Sequence, residues 1–366
     1  MKGIKKSIFI LSCFLLLAFT GCTKDTRKDD VTVYTPTDSI VKDESNMEGQ
    51  EKEEVKDLKE LIDLSLKPNE AGEVMILMYH NIGEKEAEWT RTPENFRKDL
   101  LTLYEKGYRP VSLADFINNN IDIELGMTPV VITFDDGNEN NFRMIKNEKG
   151  EDIIDPECAI GILESFKEKY PDFKSTATFF VFGNNAFRQP EFLDYKLNFL
   201  IENGYDIGNH TIDHRGMKKM NDKDLIQEAI ANQVSVINKI LPDYNINTYA
   251  LCYGERPKNK ELEKFLEKGS FNGTSYENIG ILNVGWNPAG SPISNKFNPL
   301  SLPRIRASET KVDNVGLYNW LEYFDNNPSK KYISDGVNKI ITIPKDMEES
   351  IDKEKLDGKE LYIYGE

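Results

Sequence analysis

The sequence predicts an α/β protein built on a parallel sheet, either open or closed into a barrel. Two observations predict this class. Short apolar, β-branched runs alternate with helical segments along most of the chain. The clearest run, residues 130–134, is apolar enough for a strand buried on both faces, as parallel strands are. Asp135, Asp136 and Gly137 follow it, and α/β enzymes place their chemistry at the carboxyl ends of strands.

The other elements follow from periodicity and from start and stop signals. Ser112 and Asn221 are the predicted N-caps of two helices. Further strands are predicted at residues 74–79, 108–113, 175–182, 205–209, 249–253, 280–285, 304–307, 339–343 and 361–364. Helices are predicted at residues 92–106, 113–118, 155–170, 190–203, 222–241 and 259–268. Residues 310–366 either complete a barrel or pack outside it.

The N-terminal segment has the composition of an export signal. Basic residues precede an apolar run at residues 7–20, and small residues precede Cys22. Residues 1–22 resemble a bacterial lipoprotein signal with Cys22 as the lipidated N-terminus, which would anchor the chain to the membrane. Ordinary secretion and an uncleaved anchor are the alternatives, and in each case the chain is exported.

The polar residues 23–72 are predicted to be a disordered tether, with an acidic interaction tail as the alternative. The catalytic domain is then expected at residues 73–366. The formal net charge of −16 argues against a nucleic-acid partner, which would require basic patches. Cys158 and Cys252 are far apart in apolar surroundings and are predicted to be free, buried thiols.

The chain has three histidines, and two of them lie four residues apart, at His210 and His214. If this segment forms one helical turn, both imidazoles face the same side. Two histidines, one carboxylate and open positions for water make a catalytic divalent-metal site. The adjacent Asp135 and Asp136 offer the third ligand and a general base. A surface histidine pair and a simple Asp-Asp-Gly turn are the alternative interpretations.

These two motifs resemble those of the polysaccharide deacetylase family, the NodB homology domain of carbohydrate esterase family 4. Residues 133–137, Thr-Phe-Asp-Asp-Gly, match its first motif, and residues 210–214, His-Thr-Ile-Asp-His, match its second. Residues 78–83 resemble the start of one branch of the family, and the resemblance covers about residues 73–310.

The resemblance implies a distorted (β/α)7 barrel that hydrolyses N-acetyl groups of an amino-sugar polymer such as peptidoglycan, chitin or poly-N-acetylglucosamine. It implies that Asp135 is the catalytic base. Asp136, His210 and His214 would hold a divalent metal ion, zinc or similar. The backbone N–H of Tyr253 would stabilise the oxyanion.

The chain departs from the family at two positions. Ala250 stands where the family often has an arginine that pairs with the base. Arg304 or Arg306 would supply this charge from another strand, or both are structural or surface arginines. No histidine follows His214 to protonate the leaving amine, so Asp135, another acid or water would do so. His80 follows a predicted strand and either lines the site or is a structural histidine.

Three functions from different classes fit these observations. The first is a metal-dependent polysaccharide deacetylase at the cell surface. The second is a non-catalytic carbohydrate-binding lipoprotein on the same fold, and the third is a metal-dependent amidase with a non-sugar substrate. Aromatic residues near the strand ends either stack on sugar rings or pack in the core; they are Trp89, Phe182, Tyr253 and Trp286.

Overall fold

The computed structural model describes residues 57–365, and its main feature is an eight-stranded parallel sheet. The sheet order is β7-β6-β5-β4-β3-β1-β8, and β2 pairs with the first half of β3. The strands are β1 (Met75–Tyr79), β2 (Tyr108–Pro110), β3 (Thr128–Phe134), β4 (Thr178–Val181), β5 (Asp206–Asn209), β6 (Thr248–Ala250), β7 (Gly280–Leu282) and β8 (Ile305–Arg306). The predicted parallel α/β class is confirmed.

The two ends of this sheet are joined by the segment that leads into β8. Leu302 forms a parallel bridge with Leu282 at the end of β7. Three residues later, Ile305 pairs with Leu77 of β1. The sheet therefore closes on itself through residues 302–306, and the predicted distorted barrel is confirmed.

Strand β3 is buried along its whole length, as its apolar sequence predicted. Phe134 stacks between Tyr79 and Phe179, with ring centroids 5.2 and 5.0 Å away. Because these rings come from neighbouring strands, they fix the carboxyl end of β3 in the core. The residues after Phe134 are thereby held in one place.

Helices cover the sheet and mostly begin where the sequence predicted. The helices are α1 (Pro93–Glu105), α2 (Leu113–Ile117), α3 (Ala159–Lys169), α4 (Leu193–Glu202), α5 (Lys223–Asn238), α6 (Lys264–Glu267) and α7 (Leu317–Asn326). Ser112 caps α2, as predicted. The predicted N-cap Asn221 is wrong, because Asp222 has extended backbone and its side chain accepts from the Asp224 N–H.

The predicted helix at residues 259–268 is also wrong in its length. A 3₁₀ turn at Lys260–Leu262 and the four-residue α6 occupy this stretch. An antiparallel hairpin of Lys268–Phe271 and Thr274–Glu277 follows. Gly273 lies in its turn with a φ of +82°, which favours glycine.

Residues 310–366 are divided between the two alternatives. Leu317, Leu321 and Phe324 of α7 belong to the main hydrophobic core, whereas the two late strands pack outside the barrel. Ile340–Pro344 and Glu360–Tyr364 pair in parallel with each other and with no strand of the large sheet. Three apolar side chains of the first of these strands are almost fully buried: Ile340, Ile341 and Ile343.

The predicted end of the tether at residue 72 is wrong. Asn69 and Glu70 are buried, and Glu70 accepts hydrogen bonds from the Tyr332 hydroxyl and the Thr342 N–H. A Cβ atom on Gly72 would lie 2.4 Å from the backbone of Lys331, so this segment packs closely against the domain. These contacts are polar and join residues more than 250 positions apart, so local patterns in the sequence did not reveal them. Cys22, the signal and residues 23–56 lie outside the described residues.

Two further observations concern thiols and membrane-spanning helices. Cys158 and Cys252 are free and buried, as predicted. Among residues 57–365, no helix is both long and apolar enough to cross a membrane.

Candidate metal and acid–base site

Asp135 is a fully buried carboxylate that forms a bidentate ion pair with Arg304. Both guanidinium Nη atoms lie 2.7 Å from its two carboxylate oxygens. Burial opposes ionisation of this group, but the Arg304 charge outweighs it and holds the pKa of Asp135 below its usual range. Asp135 is therefore a charged proton acceptor inside the protein.

The Arg304 side chain is fully buried. Its Nε donates to the Asn283 carbonyl over 2.9 Å, and Nη1 also donates to the Thr133 hydroxyl over 3.1 Å. Ala250, where the family's arginine is expected, lies on β6, whereas Arg304 reaches Asp135 from the segment before β8. The structure thus places a replacement charge where the sequence left two candidates open.

Arg306, the second candidate, does not contact Asp135. Its guanidinium donates to Glu88 over 3.0 Å and lies over the Trp89 ring at 4.8 Å. Arg304 and Arg306 therefore have different partners, although they are only two residues apart. The charge-partner hypothesis is therefore supported by geometry for Arg304 and not for Arg306.

The turn after β3 separates the two aspartates. Asp136 has a φ of +75° and Gly137 a φ of +54°, so the chain reverses within two residues. A Cβ atom at position 137 would lie 2.9 Å from the Val181 side chain, which favours glycine there. This left-handed backbone turns Asp136 away from Arg304 and toward the histidines.

A neighbouring loop supports the same turn. Phe187 N–H donates to the Gly137 carbonyl over 2.7 Å, and Arg188 donates to the Asp136 carbonyl over 3.3 Å. The fully buried Lys196 donates to the Phe187 carbonyl and to the Gln189 side chain. These contacts fix the backbone of Asp136 from outside the cavity.

His210 and His214 converge through an irregular turn rather than through the predicted helical turn. Thr211 and His214 have positive φ values, and the two imidazole centroids lie 4.9 Å apart. The Nδ1 of His210 donates to the Ala250 carbonyl over 2.8 Å, which leaves its Nε2 as an acceptor. His214 Nδ1 forms a hydrogen bond with the Tyr253 hydroxyl over 3.1 Å.

Both Nε2 atoms point at one oxygen of Asp136. The distances to Asp136 Oδ1 are 3.5 Å from His210 and 3.2 Å from His214. Oδ1 is buried and has no hydrogen-bond partner of good geometry. Burial alone would raise the pKa of Asp136, but the two imidazoles outweigh it and lower the pKa.

The donor set fits a divalent cation. Ligands at about 2.1 Å from a tetrahedral zinc ion lie about 3.4 Å from one another, close to the separations found here. An orphaned carboxylate oxygen facing an imidazole acceptor is unfavourable unless a cation or proton lies between them. The predicted ligands Asp136, His210 and His214 are therefore brought together in a suitable arrangement.

Cys252 also lies near the histidines, but its contacts point elsewhere. His210, His214 and Cys252 have ligand atoms within 4.8 Å of one another. The Cys252 thiol, however, donates to the His210 carbonyl over 3.3 Å. Asp136 completes the set better, since it meets both Nε2 atoms.

Asp135, Asp136, His210 and His214 line one cavity of about 480 Å³. His80 lines it with its Nε2 3.9 Å from Asp135, and burial lowers the pKa of its imidazole. Sequence reasoning missed Asn81, Leu251 and Val284 as wall residues, although each follows a strand. The lining residues are His80, Asn81, Trp89, Asp135, Asp136, His210, His214, Leu251, Tyr253 and Val284.

Fold and site together define an α/β barrel with a two-histidine, one-carboxylate cluster beside a buried, ion-paired aspartate. The sequence model of the family described as Polysaccharide deacetylase matches residues 123–268, which contain Asp135, Asp136, His210 and His214. Residues 123–268 therefore match a polysaccharide deacetylase domain, in agreement with the resemblance that the two motifs predicted. The matched stretch includes neither His80 nor Arg304.

Solved structures of deacetylases are similar at low identity. Deacetylase PplD of Streptococcus pyogenes, in complex with acetate, is 17% identical over 68% of this chain and 97% of its own, with a TM-score of 0.46. BC0361, a polysaccharide deacetylase from Bacillus cereus, is 17% identical over 68% of each chain, with a TM-score of 0.48. IcaB from Ammonifex degensii is 14% identical over 65% of this chain and 93% of its own, with a TM-score of 0.46. No curated protein sequence matches this chain significantly.

Proposed function

We propose that this protein is a metal-dependent hydrolase that removes N-acetyl groups from an amino-sugar polysaccharide. The observation that carries the proposal is the pairing of Asp135 with Arg304 beside the Asp136, His210 and His214 cluster. A base and a cation site then lie in one cavity, as amide hydrolysis by an activated water requires. The family match supports the same reaction class.

Each residue has a role that its contacts support. Asp135 accepts a proton from the attacking water, and Arg304 keeps it ionised before that step. Asp136, His210 and His214 would hold the divalent ion, zinc or similar, which polarises the acetyl carbonyl when bound. The backbone N–H of Tyr253 is the proposed donor to the oxyanion.

His80 is the proposed proton donor to the leaving amine. It is the one histidine of the sequence that is not a proposed metal ligand. It lines the same cavity, and its Nε2 lies 3.9 Å from an Asp135 carboxylate oxygen. A proton taken by Asp135 can pass to His80 and from there to the amine nitrogen as the C–N bond breaks. Replacing His80 with Gln should then lower kcat for acetate release more than it changes KM.

The test is acetate release from N-acetylglucosamine polymers, peptidoglycan and a small acetyl amide, with each common divalent ion supplied. The wild type should release acetate from a polymer, and Asp135→Asn should lose about 100-fold or more of that rate. A chelator should abolish release, and added metal should restore it. Circular dichroism of both proteins checks that the variant is folded.

Two outcomes would favour other functions. A wild type that binds the polymers but releases no acetate with any ion would indicate a non-catalytic carbohydrate-binding protein. Release from the small amide alone would indicate an amidase with a non-sugar substrate.

We also propose that the protein is exported and anchored to the outer face of the cytoplasmic membrane through lipidated Cys22. The apolar residues 7–20 and the small residues before Cys22 support this proposal. A Cys22→Ser variant should appear in the medium rather than in the membrane fraction. Equal membrane retention of both forms would argue for an uncleaved anchor instead.

A further inference from the structure

A second cavity adjoins the candidate site. Its volume is about 510 Å³, slightly more than that of the site cavity, and it falls in the range of ligand pockets. Trp89 and Val284 line both cavities, so the two share a wall. Whatever occupies the second cavity therefore lies beside a group bound in the site.

Two exposed tryptophans form the walls of this second cavity. Trp286 is 61% exposed and Trp89 is 38% exposed, although large aromatic side chains usually bury most of their surface. The Trp286 backbone is fixed by a hydrogen bond of 2.9 Å from the Trp320 indole. The Trp89 ring lies 4.7 Å from the His80 ring and has the Arg306 guanidinium over it at 4.8 Å. The more exposed Trp286 ring is therefore the broad apolar surface on which the C–H face of a sugar ring can stack.

Three of the four charged groups of the second cavity are paired with one another. Glu88 accepts from Arg306 over 3.0 Å and faces the Lys311 ammonium at 3.4 Å. Asp313 also lines the cavity, so two cations face two carboxylates. A carboxylate-bearing ligand would have to compete with Glu88 for both cations, whereas an uncharged, hydroxyl-rich ring would not.

We propose that the second cavity binds the sugar ring next to the one being deacetylated, and that it selects an uncharged N-acetylhexosamine over a carboxylate-bearing sugar. This inference rests on the proposed function and narrows its substrate to a neutral amino-sugar polymer. Trp286 supplies the stacking face, Trp89 lines the wall shared with the site cavity, and Glu88 supplies the discrimination against negative charge.

The chain contains three tryptophans, and all three lie in or beside this cavity. Intrinsic fluorescence therefore reports on its occupation. Binding is measured with Asp135→Asn, so that substrate is not consumed, using N-acetylglucosamine and its tetramer. The tetramer should change the fluorescence and bind about tenfold more tightly or better. Equal affinity for one ring and four rings would overturn the proposal.

Calorimetric titration of further variants in the Asp135→Asn background tests which residues produce the higher affinity for the tetramer. Trp286→Ala should lose about tenfold in affinity for the tetramer and little for the single ring. Tyr195→Ala is the matched control, because Tyr195 is an exposed aromatic outside both cavities. If both variants bind the tetramer as the parent does, the cavity is not the subsite.

Charge selection is tested with a tetramer of the same length in which alternate rings carry a carboxylate. The parent should bind it more weakly than the neutral tetramer, and Glu88→Gln should reduce or reverse that preference. A parent that prefers the carboxylated tetramer would overturn the proposal. If the tetramer binds with the expected length and charge preferences but the wild type releases no acetate, the proposed hydrolase is rejected and the subsite is supported. If acetate is released without the chain-length effect, the hydrolase is supported and the subsite is rejected.

Discussion

Two buried carboxyl groups in this protein have opposite electrostatic environments. Asp135 and Glu70 are 1% and 4% exposed. Asp135 meets the guanidinium of Arg304 in a bidentate pair. Glu70 meets only neutral donors, the Tyr332 hydroxyl and backbone N–H groups, with Asp335 nearby. Burial therefore raises the pKa of Glu70 to about 8, whereas the pKa of Asp135 lies below its usual range.

The contrast shows that burial does not decide the charge of a carboxyl group; its partner does. Asp135 is kept ionised, which suits a proton acceptor. Glu70 connects the segment before β1 with residues of the C-terminal extension, and it does so largely as a neutral group at pH values below its raised pKa. Asp135 has the charge that the proposed reaction requires, and Glu70 serves packing.

The largest expected effect comes from removing the Arg304 cation, because Asp135 then lacks the partner that distinguishes it from Glu70. Arg304→Met leaves Asp135 buried without a counter-charge, so the free energy of unfolding should fall by about 3–5 kcal/mol. Acetate release should fall by about 100-fold or more. Urea unfolding and the release assay measure the two effects. Arg97→Met is the control, since Arg97 forms an exposed pair with Glu157 that should contribute about 1 kcal/mol or less. Equal destabilisation by both variants would show that Arg304 does not matter as a buried partner.

Keeping the positive charge but losing the bidentate geometry should have a smaller effect. Arg304→Lys offers one ammonium in place of two aligned Nη donors, so the carboxylate is held less firmly. Activity should lie between those of the wild type and Arg304→Met, about tenfold below the wild type. A variant as inactive as Arg304→Met would mean that geometry, and not charge, is what Asp135 requires.

The pH dependence of stability should separate the two carboxyl groups. The folded pKa of Glu70, about 8, exceeds its ordinary value of 4.5, so the folded state binds more protons between these values. Stability from Glu70 is therefore full below about pH 4.5 and is lost as the pH rises toward 8. Asp135 behaves oppositely, because its pKa is lowered from 3.8 and its contribution is lost only in acid.

Glu70→Gln isolates this effect. Relative to the wild type, the variant should be at least about 1 kcal/mol more stable at about pH 9 than it is at about pH 5. Unfolding in urea at both pH values measures the difference. The exposed Glu148→Gln is the control and should show no such crossover. Parallel pH curves for wild type and Glu70→Gln would contradict a raised pKa.

The smallest expected effect comes from one donor of Glu70. Tyr332→Phe removes the hydroxyl that lies 3.0 Å from Glu70, at a cost of about 1 kcal/mol in the free energy of unfolding. The loss should grow with pH, because the hydroxyl stabilises the charged form. A loss that is independent of pH would mean that Tyr332 contributes packing alone.

The motif residues of the site were predictable because adjacent carboxylates and spaced histidines carry their chemistry in the sequence. Arg304 was predictable only as one of two arginines, since nothing in a two-residue spacing says which one faces the barrel interior. The positive φ of Asp136 was not predictable, because a positive φ is uncommon for residues other than glycine. The helical turn expected for His210 and His214 failed for the same reason.

The barrel strands were predictable from apolar runs, and their ends shifted by a few residues. The hairpin at Lys268–Glu277 was not predictable, since its strands are partly exposed and lack a clear alternation. The contact of Glu70 with Tyr332 and Thr342 joins residues more than 250 positions apart, which local patterns do not report.

The closure of the barrel through residues 302–306 has a consequence for how the protein is made. Arg304 lies between Leu302, which bridges to β7, and Ile305, which pairs with β1. Asp135 and Arg304 are 169 positions apart. During synthesis, Asp135 therefore lacks its counter-charge and lies beside an open sheet edge until more than half of the domain has been synthesised after it. Closure of the barrel and the pairing of Asp135 with its cation are therefore the same event, so a chain that stalls before residue 304 retains the motifs and lacks the ion pair.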